Sequence, residues 1–223
     1  MKTSWGKRPI IAFVYRVLFI IFCSWGLILN FAKWESPIMT TLSYYTIQSN
    51  LFCLVLFIDL LVRKIRKQPL TPLFHSVKGG FTVMIFITFF IYHFVLRPGI
   101  IASGVDYQVY QWSDILVHYI APLMVVIDHF IFDELKPYHR IDPIRWLAIP
   151  LGYWVYTLIF AALGGRYIIN DYISRYPYFF LNVEELGVLW VSISIITISL
   201  FYVGTGYGLI QLDRLIFKYR QKH

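Results

Sequence analysis

Charge is scarce in this chain. Asp, Glu, Lys and Arg make up 14% of its 223 residues, against about 25% in an ordinary soluble domain. So few charges cannot coat a water-facing globule, which excludes the common soluble classes. Cysteine is nearly absent, and its two copies, Cys23 and Cys53, match no metal or redox spacing. Both fall in apolar runs and are read as packing residues. Internal repeats of roughly 20 to 50 residues are lacking. No connection is long enough to fold separately, so residues 1–223 are expected to form one membrane domain.

Acidic residues are also few, and the formal net charge is +8. The basic residues are split among short connections, with no aromatic-interleaved basic domain to hold a nucleic acid strand. Anionic lipid headgroups are the expected partners instead.

Apolar residues are what the chain has in abundance, at 58% of the total, with aromatics at 19%. They gather in runs at about 10–31, 42–62, 77–96, 113–132, 146–163 and 186–212. Each approaches or exceeds the roughly 20 residues that cross a hydrocarbon core. The expected fold is all-α, a polytopic bundle of six transmembrane helices. The first run follows Lys2, Lys7 and Arg8, yet it is too long for a signal peptide and no small-residue cleavage site comes after it. It is read as a retained helix.

Basic side chains favour cytoplasmic loops. Lys2, Lys7, Arg8, Arg63, Lys64, Arg66, Lys67, Lys78, Lys136, Arg140, Arg145, Arg214, Lys218, Arg220 and Lys222 fall on one side, against Lys33, Arg97, Arg166 and Arg175 on the other. Both termini are therefore expected in the cytoplasm, with the protein in the cell membrane.

Ionisable residues inside a span are costly and usually face the bundle interior. The second run opens with Tyr44, Tyr45, Thr46, Ile47, Gln48, Ser49 and Asn50 and reaches Asp59. The third ends near His93, and the fourth carries Asp114, His118, Asp128 and His129. The second and fourth spans run in the same direction. Thr46 and His118 each lie about four or five residues in, roughly 6 to 8 Å deep at 1.5 Å per residue. Asp114 precedes His118 by four residues, on the same helix face. It either orients the imidazole or simply marks the headgroup region. His129 returns to that face about 16 Å deeper, at an interfacial level.

A threonine hydroxyl becomes a nucleophile when a base takes its proton, and a neutral histidine can do so. Backbone N–H groups inside a continuous helix are already bonded, so an oxyanion would need side-chain donors. Ser49 and Asn50 are candidates, or else they tie helices together. Pro122 comes four residues after His118, where its ring disturbs the His118 carbonyl and predicts a local kink. The fifth span contains Pro150. Gly204, Gly206 and Gly208 suit close helix packing. The aromatic connection at 164–185 is either an interfacial belt or a lid over the site.

Three blocks carry a resemblance: residues 44–50 (YYTIQSN), 114–128 (DILVHYIAPLMVVID) and 176–181 (YPYFFL). They resemble the androgen-induced gene 1 / FAR-17a family of six-span membrane proteins, and most closely its bacterial branch. Animal members are threonine hydrolases that cleave fatty acid esters of hydroxy fatty acids with one intramembrane threonine and one histidine. The resemblance implies that Thr46 is the threonine and His118 the histidine, with Asp128 at the family's acidic position. The QSN triplet after Thr46 looks like the bacterial branch, so reaction type transfers better than substrate.

The expected activity is hydrolysis of a long-chain acyl ester reached from the bilayer, without metal or cofactor. A haem reading through His93, His118 and His129 lacks a facing partner for His129. A transporter or lipid-binding protein, using His118, Asp114 and Asp59 without bond cleavage, is the alternative.

Overall fold

The structure is a computed structural model that describes residues 9–33, 37–102, 111–133, 138–169 and 172–222. Four of the basic residues behind the charge asymmetry, Lys2, Lys7, Arg8 and Lys136, lie outside the described residues. Six helices are long and apolar enough to cross a membrane: Ile10–Ala32, Tyr45–Ile65, Pro72–Ala102, Trp112–Phe132, Asp142–Ala162 and Val183–Tyr219. This is the architecture of a multi-pass membrane protein. The second and fourth helices begin at one end of the bundle, here called the site end. The third and fifth finish there.

Several boundaries come from local chemistry. Thr71 caps the third helix by accepting from the Phe74 N–H at 3.1 Å, and Pro72 fills the first position, where a missing N–H costs nothing. The Asn182 side chain accepts from the Glu184 N–H at 3.1 Å at the start of the last helix, and Glu184 and Glu185 lie against its positive dipole end. Gly187, at φ 75°, then breaks that helix. Pro150 sits in the first turn of the helix Ala148–Ala162, so it removes no interior hydrogen bond. Of the three glycines at 204–208, only Gly206 packs tightly: a Cβ there would fall 2.9 Å from Pro143, whereas Gly204 and Gly208 face open space.

The third and fourth helices each contain one π-helical turn, Tyr92–Leu96 and Leu116–Ile120. In both, a proline stands six residues after the first residue of the turn, Pro98 and Pro122. The Arg97 N–H bonds the Tyr92 carbonyl and the Ala121 N–H bonds the Leu116 carbonyl, each five residues back. In that register the next donor would be the proline nitrogen, which has no hydrogen. The disturbed carbonyl in the fourth helix is therefore that of Val117. Sequence spacing had pointed to His118.

The apolar core draws on all six spans, with Phe19, Cys23, Cys53, Phe57, Met84, Ile85, Val125, Trp146 and Tyr202 all buried. Both cysteines are free thiols in it. At the opposite end from Thr46 the core encloses an ionic cluster. Arg16 Nε meets Asp128 Oδ1 at 2.7 Å and its Nη2 meets Asp133 Oδ1 at 3.2 Å. Lys78 Nζ lies 2.5 Å from Asp128 and 2.6 Å from Asp133. His129 Nε2 reaches Asp213 at 3.0 Å, and its Nδ1 stands 3.3 Å from Asp133. Lys78 thus belongs inside the third helix, 2% exposed, and not to the basic connection before it. His129 is fully buried, not interfacial. Burial by itself would raise the Asp133 pKa. Lys78, His129 and Arg16 together outweigh that and hold it below the ordinary carboxylate range.

Removing one member of such a buried set leaves an uncompensated charge, which typically costs about 3–5 kcal/mol. Asp128→Asn should therefore lower the melting temperature of the detergent-solubilised protein sharply. Asp59→Asn removes only a partly exposed helix pair with Arg63 at 2.8 Å and should shift stability by about 0.5 kcal/mol or less. Because the folded pKa of Asp133 is depressed, its contribution should be complete above the unfolded value of about 3.9 and be lost progressively as pH falls below it. Acid titration of the melting temperature checks this.

Candidate active site

Thr46 is the second residue of its helix. A short helix, Ile38–Leu42, precedes it, and the chain turns at Ser43 and passes through extended Tyr44 (ψ 136°) before Tyr45–Ile65 begins. The apolar run from 42 is therefore not one continuous helix. The first N–H groups of a helix have no partner four residues back, and here Tyr45 N–H donates to the Tyr153 hydroxyl at 3.1 Å. Tyr153 in turn donates to the Ser43 carbonyl at 3.0 Å. An aromatic from the fifth span thereby ties down the break.

His118 occupies the middle of the π turn in the fourth helix. Its Nε2 lies 3.2 Å from the Thr46 hydroxyl, and its Nδ1 lies 3.2 Å from the Asp114 backbone carbonyl. A carbonyl only accepts, so Nδ1 carries the hydrogen and Nε2 presents its lone pair to Thr46. The Thr46 hydroxyl then donates to His118, the arrangement in which a base can take its proton. The Asp114 carboxylate is farther from Nδ1, at 3.8 Å. The backbone carbonyl of Asp114 is thus the nearer orienting group.

Two further contacts fix the imidazole. Tyr92, from the π turn of the third helix, stacks on it with centroids 3.6 Å apart and planes 9° apart. Behind it the first span comes unusually close: a Cβ at Gly26 would sit 2.7 Å from the Leu116 side chain, so only glycine fits against the π turn.

Ser49 and Asn50 are engaged elsewhere. Both hydrogens of the Asn50 amide are used, one on the Thr46 carbonyl at 2.8 Å and one on the Val117 carbonyl at 3.0 Å. The second is the carbonyl for which Pro122 has no hydrogen. Ser49 Oγ lies 3.0 Å from the Thr46 carbonyl and 2.9 Å from the Thr88 hydroxyl. These side chains hold helices together and do not face the space beside the Thr46 hydroxyl. Candidate donors are instead the Thr46 N–H, in the first turn with no carbonyl four residues back within its helix, and the phenol of Tyr178, which lines the same cavity as Thr46. The Tyr178 ring packs beside those of Tyr44 and Tyr153, with centroids 6.2 and 6.5 Å away. Burial raises its pKa, so the phenol keeps its hydrogen.

Thr46 and Tyr178 line one cavity of about 670 Å³, counting its open mouth. Its walls come from the third, fifth and sixth spans, including Ile87, Leu96, Trp154 and Ile198, and from Phe180 and Leu181 of the connection before the last helix. Thr88 and Ser199 add a little polarity to a mostly apolar lining. A second cavity, of about 700 Å³ by the same measure, lies between the second, third and fifth spans and shares Tyr45 and Tyr153 with the first.

The aromatic connection folds over the site. It forms a two-stranded hairpin, Tyr167–Ile169 with Tyr172–Ser174, and Tyr167 and Tyr178 both meet Tyr44 edge-on. Of the other polar residues singled out in the sequence, His93 bonds Tyr119 at 3.0 Å, Asp59 pairs with Arg63, and Asp128 and His129 join the ionic cluster. Sequence reasoning missed Tyr92, Tyr153 and Tyr178, three among 17 tyrosines. It also missed Arg16. No family model matches the chain, and no curated protein or solved structure matches it.

Asn50 and Pro122 should be energetically coupled through the Val117 carbonyl. Asn50→Leu alone leaves that carbonyl buried without a donor and should cost about 1–3 kcal/mol. In the Pro122→Ala background, residue 122 supplies its own N–H, and the same Asn50→Leu change should cost less. A double-mutant cycle on unfolding free energy should give a coupling of at least about 0.5 kcal/mol; additivity would contradict this origin of the π turn.

Proposed function

We propose that this protein is an intramembrane threonine hydrolase that cleaves a long-chain acyl ester. His118 Nε2 takes the Thr46 proton while Oγ1 attacks the ester carbonyl carbon. The tetrahedral oxyanion collapses, the bond to the alcohol oxygen breaks, and the leaving alkoxide takes the proton from Nε2. Water, deprotonated by the same nitrogen, then attacks the acyl-threonine, releasing the acid and returning the hydrogen to Thr46. The carrying observation is the 3.2 Å contact between Thr46 Oγ1 and a His118 nitrogen whose partner, Nδ1, is committed to a carbonyl.

An apolar cavity beside that pair supports a lipid substrate. The YYTIQSN, DILVHYIAPLMVVID and YPYFFL blocks support membership of the androgen-induced gene 1 / FAR-17a family, since Thr46, His118 and Tyr178 each come from one of them. The uneven distribution of basic residues supports cytoplasmic termini in the cell membrane, with the reaction in the outer leaflet. Anionic headgroups would then face the basic side.

An alkyl fluorophosphonate should label Thr46 in the detergent-solubilised protein. Labelling should disappear in Thr46→Ala and slow by about 10²–10⁴-fold in His118→Ala. Equal labelling of Thr46→Ala, together with no turnover of p-nitrophenyl palmitate by the wild type, would leave a lipid-binding protein or transporter in its place.

A further inference from the structure

Tyr92 covers one face of the His118 imidazole, with ring centroids 3.6 Å apart and planes 9° apart. Ring carbons in contact sit about 3.5 Å apart, so these rings lie almost squarely face to face, with little lateral offset. Both side chains are buried. The parallel stack of His93 on Phe89, by contrast, has its centroids 5.9 Å apart and is widely offset. Two neutral rings do not favour the geometry at His118, because each π face is negative and each edge positive; such pairs prefer offset or edge-to-face packing. A cation centred over a π face is attracted to it. The stack is therefore better matched to an imidazolium than to an imidazole.

In the resting site Nδ1 donates to the Asp114 carbonyl and Nε2 accepts from the Thr46 hydroxyl, which describes a neutral ring. The ring becomes a cation when Nε2 takes the Thr46 proton as Oγ1 bonds to the ester carbon. It becomes one again when Nε2 takes a proton from the water that attacks the acyl-threonine. At the ring edge, the Asp114 carboxylate lies 3.8 Å from Nδ1 and opposes that charge. On the ring face the opposing group is Tyr92. The two aromatic partners stand on the two π turns: Tyr92 opens that of the third helix, and His118 is in the middle of that of the fourth. Tyr119 meets Tyr92 in a T-shaped contact, at 5.8 Å and 84°, and steadies its plane.

We propose that Tyr92 is a positioning residue for the reaction, acting through His118: its π face stabilises the imidazolium formed each time Nε2 takes a proton. This rests on His118 being the base that activates Thr46. The interaction strengthens only as charge develops on the ring, so it should act on kcat more than on KM. It also gives the π turn of the third helix a part in the chemistry, although that helix carries neither the nucleophile nor the base.

The test measures kcat and KM on p-nitrophenyl palmitate in detergent micelles, with melting temperatures alongside, for wild type, Tyr92→Phe, Tyr92→Leu and Thr46→Ala. Tyr92→Phe keeps the π face and should retain kcat to within about threefold, whereas Tyr92→Leu should lower it about tenfold or more. KM should change by less than about threefold in both. Progressively fluorinated phenylalanines placed at position 92 keep the shape of the ring while draining its face of electrons. Across that series log kcat should fall in step with the cation-binding strength of the ring, while the melting temperature does not follow it; a ring that only packed would show no such trend. Should Tyr92→Leu fail to fold, the fluorinated series decides alone. A kcat indifferent to fluorination, with Thr46→Ala inactive, would overturn the role of Tyr92 and leave the hydrolase standing. Full turnover by Thr46→Ala, or none by the wild type, would remove both.

Discussion

One backbone oxygen sets the geometry of the site end. Pro122 has no hydrogen to give, the fourth helix widens into a π turn around it, and the Val117 carbonyl is left inside the bundle needing a donor. Asn50 supplies it at 3.0 Å while holding the Thr46 carbonyl at 2.8 Å. One amide therefore fixes the distance between the helix that carries the threonine and the helix that carries the histidine. In water such a carbonyl would be hydrated and the constraint would vanish. In a helix bundle within lipid it has no other partner, so a local defect becomes a joint between helices.

The two ends of the bundle solve the problem of buried polarity differently. At the opposite end, Arg16, Lys78, Asp128 and Asp133 neutralise one another at distances between 2.5 and 3.2 Å, a rigid arrangement that lashes the first and third spans to the end of the fourth. At the site end the groups are a hydroxyl, an imidazole, phenols and amides, joined by hydrogen bonds between neutral partners. Charge that develops there is opposed by aimed dipoles and, on the imidazole, by the buried Asp114 carboxylate 3.8 Å from Nδ1. That is the arrangement electrostatic preorganisation requires.

Much of this could be read from residue order, for definite reasons. Six apolar runs appeared because each had to span the same thickness. Thr46 and His118 could be matched because their helices run the same way from the same end. Lys78 was misplaced because a charge next to a basic loop looks like part of it; only Asp128 on another helix reveals that it turns inward. Arg16 was passed over because one basic residue in the first apolar run has no local signature, and its partners lie 112 and 117 positions away. The helix start at Tyr45 was hidden because residues 42–44 are as apolar and aromatic as the rest of the run. That misjudged boundary is why Ser49 and Asn50 looked like donors to a reaction and the backbone N–H groups looked occupied. Tyr92 and Tyr178 could not be told from the other tyrosines, since stacking and register are properties of packed neighbours.

The position of Thr46 at a helix start also explains why its hydroxyl is available at all. Elsewhere in the same chain, hydroxyls in helix interiors turn back onto their own backbone: Thr82 donates to the Lys78 carbonyl at 2.9 Å, Thr88 lies 3.2 Å from that of Met84, and Ser194 donates to that of Trp190 at 3.0 Å. A threonine inside a helix has that acceptor within reach in its common rotamers. For Thr46 the residue four positions earlier is Leu42, beyond the break at Ser43 and Tyr44, and its carbonyl accepts from the Gln48 amide at 3.1 Å. With no acceptor of its own, the Thr46 hydroxyl turns across to the neighbouring helix, where the π turn has aimed an imidazole at it. A break in one span and a bulge in another, each unfavourable by itself, together present an unencumbered alcohol to a base.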